Sequence, residues 1–221
     1  MKEWPFDPYD FFGYLAAGLV VIAGLDILFG VPSVLGRDLK PLDLTLVVLA
    51  AYVAGQLMAT PAKWLLEDLV VHGLLNPPSV HLVRNPVKRS PVLFLFWEYF
   101  SPLPTTVRSR IVAKSRSEGL EALEGEPLFV HIRFRDYVRA DSVLMARLGT
   151  FLGKYGFCRN LSFVAILFSV CVLIGTPFNV GGSTTRYALI AGVAGLLLFF
   201  RFIKFYRQYA YELFNAYAGR A

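Results

Sequence analysis

The chain is poor in cysteine, in histidine and in charge. Its 221 residues hold two cysteines and three histidines, and only 17% are Asp, Glu, Lys or Arg, below the roughly 25% usual in soluble domains. Cys158 and Cys171 are too few and too close to an apolar stretch for a disulfide framework or a zinc site, and read as apolar filler. His72, His81 and His131 lack metal-ligand spacing. A phosphate-binding glycine loop, His-Glu-x-x-His, Gly-x-Ser-x-Gly and the dinucleotide glycine pattern are all missing. Asp136 and Asp141 stand beside Arg133, Arg135 and Arg139, which reads as a solvated charged face and not as an acid/base pair. Neither enzyme activity nor a cofactor is expected.

What the chain has in excess is apolar length. Hydrophobic residues make up 56%, and they concentrate in stretches 11–29, 44–66, 161–178 and 187–203. Each is close to the ~20 residues that a helix needs to cross a hydrocarbon layer ~30 Å thick. The expected fold is an all-α membrane protein: four transmembrane helices in two hairpins, with a mostly helical cytosolic insertion between them. The boundaries expected are 1–72 for the N-terminal tail and first hairpin, 73–157 for the basic cytosolic segment, and 158–221 for the second hairpin and a basic C-terminal tail. Residues 1–10 mix acidic and basic groups, so no cleaved signal peptide is expected.

Charge supplies orientation. Thirteen of the 22 Lys and Arg lie between Arg84 and Arg159, four stand at or beyond the end of the last apolar stretch (Arg201, Lys204, Arg207, Arg220), and only Arg37, Lys40 and Arg186 fall in the two short connections. Positive residues accumulate on the cytoplasmic side, which predicts N-in and C-in with the hairpin connections outside, and lipid as the first partner.

Between the pairs, 105–118 suits a basic helix closed by Gly119, while 128–138 fits strand and helix spacing about equally. The aromatic run 94–100 fits an interfacial segment or a buried strand. Asp141 is placed to cap a helix running straight into the third stretch. Lys63 and Glu67 are spaced to pair one turn apart. Gly13, Ala17 and Gly24, and later Ala188, Gly192 and Gly195, form strips that let another helix come close, or simply reflect the small residues common in membrane helices.

Charge inside a span is costly and marks candidate sites. Asp26 lies about sixteen residues beyond Asp10, ~24 Å along a helix, and Asp43 opens the second stretch on the same side. In a symmetric homo-oligomer they would form a carboxylate ring that attracts cations. Equally, Asp26 reaches headgroups or a basic neighbour, and Asp43 is better placed as a helix cap. On the cytoplasmic side Arg84, Lys88 and Arg89 form one basic group and Arg133, Arg135 and Arg139 another. Both suit a phosphate-rich ligand or anionic lipid.

The segments Asp7-Pro-Tyr-Asp-Phe-Phe-Gly-Tyr-Leu-Ala-Ala-Gly18 and Tyr155-Gly-Phe-Cys-Arg-Asn-Leu161 resemble those of small membrane effectors of bacterial antiphage defence, the Hailong-type channel effector among them. The resemblance covers about twenty residues and the overall layout. It implies a homo-oligomeric channel, a tetramer being the working guess, with an electronegative conduction path resting on Asp26 and less on Asp43. It also implies control by a nucleotide or oligonucleotide signal and the enzyme that makes it, with membrane depolarisation as the outcome. The alternative is a non-conducting scaffold that recruits a cytosolic partner or binds anionic lipid.

Overall fold

Proline opens the first two long helices. At a first helical position its missing N–H is no loss and its fixed φ suits the helix. The computed structural model describes residues 8–29, 40–84, 98–174 and 182–219. The elements are α1 (Pro8–Phe29), α2 (Pro41–Ala62), α3 (Pro78–Val83), α4 (Thr105–Ser117), α5 (Glu126–Arg133), α6 (Asp136–Ala140), α7 (Ser142–Ile174) and α8 (Gly182–Gly219). Among the described residues there is no strand, so the ambiguous stretch 128–138 resolves into α5 and α6, parted at Phe134 and Arg135. The first and second apolar stretches, together with α7 and α8, supply four helices long and apolar enough to cross a membrane.

Pro61 stands inside α2 and cannot donate to the preceding turn. The helix does not stop there. It widens into a π-helical stretch over Lys63–Leu75, the response expected where the regular ladder is interrupted. Asp141 caps as its spacing predicts, its Oδ1 accepting from the Leu144 N–H at 3.0 Å, and α7 then runs for 33 residues. Gly119, with φ +70°, closes the turn after α4.

The chain forms two compact units. Unit 1 gathers the described residues up to Val70 with Gly153–Phe202, and unit 2 gathers Val71–Leu152 with the chain from Ile203 on. Inside unit 1 the small residues do what their spacing suggests. A Cβ on Gly18 would fall on the Ala51 carbonyl, and one on Gly55 on the Tyr14 carbonyl, so α1 and α2 touch backbone to backbone. Gly13 faces Phe157, and Gly24 faces Phe168 with room for a Cβ only 3.1 Å from its ring. Gly192 and Gly195 meet Ser169 and Ile166, and the Ser162 hydroxyl donates to the Gly195 carbonyl at 2.8 Å.

Unit 2 takes in chain from both sides of the second apolar pair. Residues 203–219 belong to it. They continue α8 and present Tyr209, Ala210, Leu213, Phe214 and Tyr217 to a core shared with Ile111, Leu128, Phe129 and Ile132. The Phe129 ring meets those of Tyr209 and Phe214 at 5.8 and 6.0 Å. Each such buried side chain contributes roughly 1.5–3 kcal/mol, which outweighs the charges at Lys204 and Arg207 that made the segment read as a tail.

Candidate anion-binding site

The site in unit 2 begins with a turn. Asn76 takes φ 61°, its carbonyl accepts the Tyr99 hydroxyl at 2.7 Å, and Pro77 and Pro78 lead into α3. Burial and the nearby Glu126 carboxylate push the Tyr99 phenol well above its ordinary range, so it remains a neutral donor. The Leu103 N–H donates to the Leu82 carbonyl at 3.0 Å, fixing the chain just before α4. Gly125, at φ 61°, lets its backbone close on Val80, where a Cβ would sit 3.0 Å from a methyl group. Ser79 donates to the Glu126 carboxylate.

Between these elements lies a cavity of about 1040 Å³. Its apolar wall includes Val83, Ile111 and Leu128, and Arg84, Arg108, Arg116, Glu121 and Glu124 supply its charge. Arg108 Nη1 donates to the Arg84 carbonyl at 3.2 Å, which ties α4 to the end of α3. Arg116 Nε pairs with Glu121 Oε1 at 3.1 Å, both side chains exposed. That pair is water-screened and weakly held, so a stronger anion can displace Glu121. Guanidinium groups on an apolar wall suit a phosphate or carboxylate whose remainder is less polar.

Of the arginines singled out in the sequence, Arg84 belongs to this cavity. Lys88 and Arg89 lie outside the described residues. Arg133, Arg135 and Arg139 are not part of the cavity lining, and the structure gives them other work. Arg135 Nη2 pairs with Glu118 Oε2 at 2.6 Å, and the same oxygen accepts the Tyr217 hydroxyl at 3.2 Å. Arg133 lies 5.6 Å from the Tyr209 ring and 5.9 Å from that of Phe134, and Arg139 lies 5.1 Å from the Phe134 ring. These contacts hold α5, α6, α4 and α8 together, so the second basic group is structural first.

Arg108 and Arg116, eight residues apart on α4, are the ligand candidates missed in the sequence. Residues at i, i+4 and i+8 share a helix face, and Val112 between them also lines the cavity. That spacing was the available signal.

In unit 1 the two acids part company. Asp43 caps its own helix, its Oδ2 accepting from the Lys40 N–H at 3.2 Å, as its position after Pro41 suggests. Asp26 is only 7% exposed and engaged with neighbours within the chain. The more strongly paired acid of unit 1 was not foreseen. Glu67 meets Arg159 in place of Lys63, Arg159 Nη1 donating to Oε2 at 2.6 Å. The Tyr155 hydroxyl reaches the same oxygen at 2.5 Å, and Arg159 Nε and Nη2 each donate to Asn160 Oδ1 at 3.2 Å. Among the described residues no cluster of His, Cys, Asp and Glu has the arrangement of a metal site.

Comparison of the chain with protein-family models, with curated proteins and with solved structures finds no match.

Proposed function

We propose that the protein is a homo-oligomeric, cation-conducting membrane channel controlled by an anionic, nucleotide-type ligand taken up by unit 2 on the cytosolic side. The observation that carries this reading is the division of α7 and α8. Each is a single helix that contributes residues to both units, so the unit that takes up the ligand shares two helices with the spanning unit. Small displacements transmitted by rigid helices are a common route from a binding site to a gate. The four spans form two hairpins with both termini inside, in keeping with the placement of Lys and Arg. The cavity with Arg84, Arg108 and Arg116 receives the ligand. The physiological consequence is depolarisation of a bacterial inner membrane, the outcome also implied by the resemblance to antiphage effectors.

A second reading is a non-conducting scaffold whose unit 2 recruits an anionic partner. The burial of Asp26 within the chain favours it, because no carboxylate ring is then presented.

Current across a planar bilayer decides between them. Purified protein is reconstituted, and short anionic oligonucleotides are added to the cytosolic face. Cation-selective current that changes on addition supports the channel. Silence in both conditions, from protein shown to be folded and inserted, leaves the scaffold.

A further inference from the structure

Resting on the channel reading, the place to look for the conduction path is α2, a spanning helix with an open polar face. Only 11% of its most apolar stretch is buried. The residues that pack on α1, Ala51 and Gly55, lie on one side. Thr45, Gln56 and Thr60 are exposed on another, and the half-buried Tyr52 stands at its border, its ring stacked on Phe11 of α1 at 5.4 Å. At 100° per residue these four fall within an arc of about 80°. Thr45 satisfies its hydroxyl within the helix, donating to the Pro41 carbonyl at 3.0 Å, and is at home in lipid. Gln56 is different. It stands next to the centre of the 44–66 apolar stretch, and a carboxamide there has two N–H donors and an acceptor oxygen to satisfy. The bond from Nε2 to the Tyr52 hydroxyl, 3.1 Å long, uses one donor. Hydrocarbon offers nothing to the rest, and polar groups at this depth face protein or a water-filled cavity.

We infer that the Tyr52–Gln56–Thr60 strip of α2 lines a water-filled path enclosed by the α2 helices of several copies of this chain. One helix face cannot enclose water alone, and α1 covers only the flank of the strip where Tyr52 stacks on Phe11. The wall facing the strip therefore comes from another copy. The carboxamide and hydroxyl groups carry no net charge, so they solvate a passing cation without trapping it, and selectivity comes from oxygen lone pairs and not from a carboxylate ring.

Thiol accessibility tests this on the full chain in liposomes. Cys158→Ala and Cys171→Ser remove the native thiols, and Gln56→Cys is compared with Leu57→Cys, its neighbour on an exposed face about 100° away. Each variant is first checked for insertion and for the elution volume of the parent. A membrane-impermeant cationic methanethiosulfonate is expected to modify Gln56→Cys at least about ten-fold faster, because only a thiol in contact with water ionises to the reactive thiolate. Mild oxidation is expected to link Gln56→Cys chains as dimers. Equal slow labelling at both positions, or absence of the dimer, overturns the inference. Current that persists unchanged after complete labelling of Gln56→Cys also overturns it while the channel stands. Fast labelling and cross-linking in a protein that passes no current in any bilayer sinks the channel instead.

Discussion

Arg159 and Glu67, 92 residues apart in sequence, meet at 2.6 Å inside unit 1 with their side chains only 12% and 11% exposed. Taking two charges out of water is costly, and the pair persists because Tyr155 and Asn160 complete its hydrogen bonds. It joins the π-helical continuation of α2 to α7.

Breaking it from one side is therefore expected to hurt far more than replacing it whole. Glu67→Ala or Arg159→Ala should each destabilise the protein by about 3–5 kcal/mol, whereas the double change to leucine should recover most of that loss. Thermal unfolding in detergent, followed by tryptophan fluorescence, reads both. Additive losses in the double variant would mean that the two side chains act separately.

The α1–α2 contact makes a sterically absolute forecast. Gly18→Val and Gly55→Val place side-chain atoms where the Ala51 and Tyr14 carbonyls already are, and should separate the two helices. Gly149 has nothing within 4 Å of an added Cβ and lies within α7, so Gly149→Ala is expected to stabilise by about 0.4–1 kcal/mol. Elution profile and unfolding midpoint distinguish the two classes of change.

For ligand uptake, Arg84→Glu and Arg108→Glu should weaken binding of a short anionic oligonucleotide. Loss of one charge-assisted hydrogen bond is worth about 1.5–3 kcal/mol, or roughly 10–100-fold in affinity. Arg133→Gln and Arg139→Gln should leave affinity nearly unchanged, since neither lines the cavity. Fluorescence anisotropy at two salt concentrations checks this. Equal losses at all four positions would point to a diffuse basic surface.

Arg135→Ala separates architecture from recognition. It removes the cationic partner of Glu118 and leaves only the Tyr217 hydroxyl on that oxygen, and should lower the stability of unit 2 by about 1–3 kcal/mol with little change in affinity per folded molecule. Hydrogen exchange in α4 and α6, compared with the anisotropy titration, measures the two effects separately.

Asp26→Asn is expected to shift the unfolding midpoint and to leave ion preference alone, because the side chain is enclosed. Reversal potentials in asymmetric salt test it, and a changed preference would restore Asp26 to the conduction path.

The features that the sequence displays openly are local ones. Apolar length marks the four long helices, Asp141 announces the start of α7 three residues before the N–H it caps, and Gly119 ends α4 because its positive φ suits glycine. Asp43 reads as a cap for the same reason. What stayed hidden depends on distant partners. Nothing near Glu67 points to Arg159, and Lys63 one turn away looks the better match. Arg133, Arg135 and Arg139 form a group in sequence, yet Glu118, Tyr209 and Phe134 divide them. The aromatic positions of residues 203–219 are legible only once Phe129 and Ile111 stand opposite them.

Unit 2 is built from two separated pieces of chain, Val71–Leu152 and the stretch from Ile203 on, and this sets an order of manufacture. Proteins fold from the N-terminus as they leave the ribosome, but Leu128, Phe129 and Ile132 must wait for Leu213, Phe214 and Tyr217, which are made last. Until the fourth apolar helix has been synthesised, unit 2 has half a core and nothing to close on. A chain that stalls or is cut before Ile203 thus lacks the residues on which Leu128, Phe129 and Ile132 close.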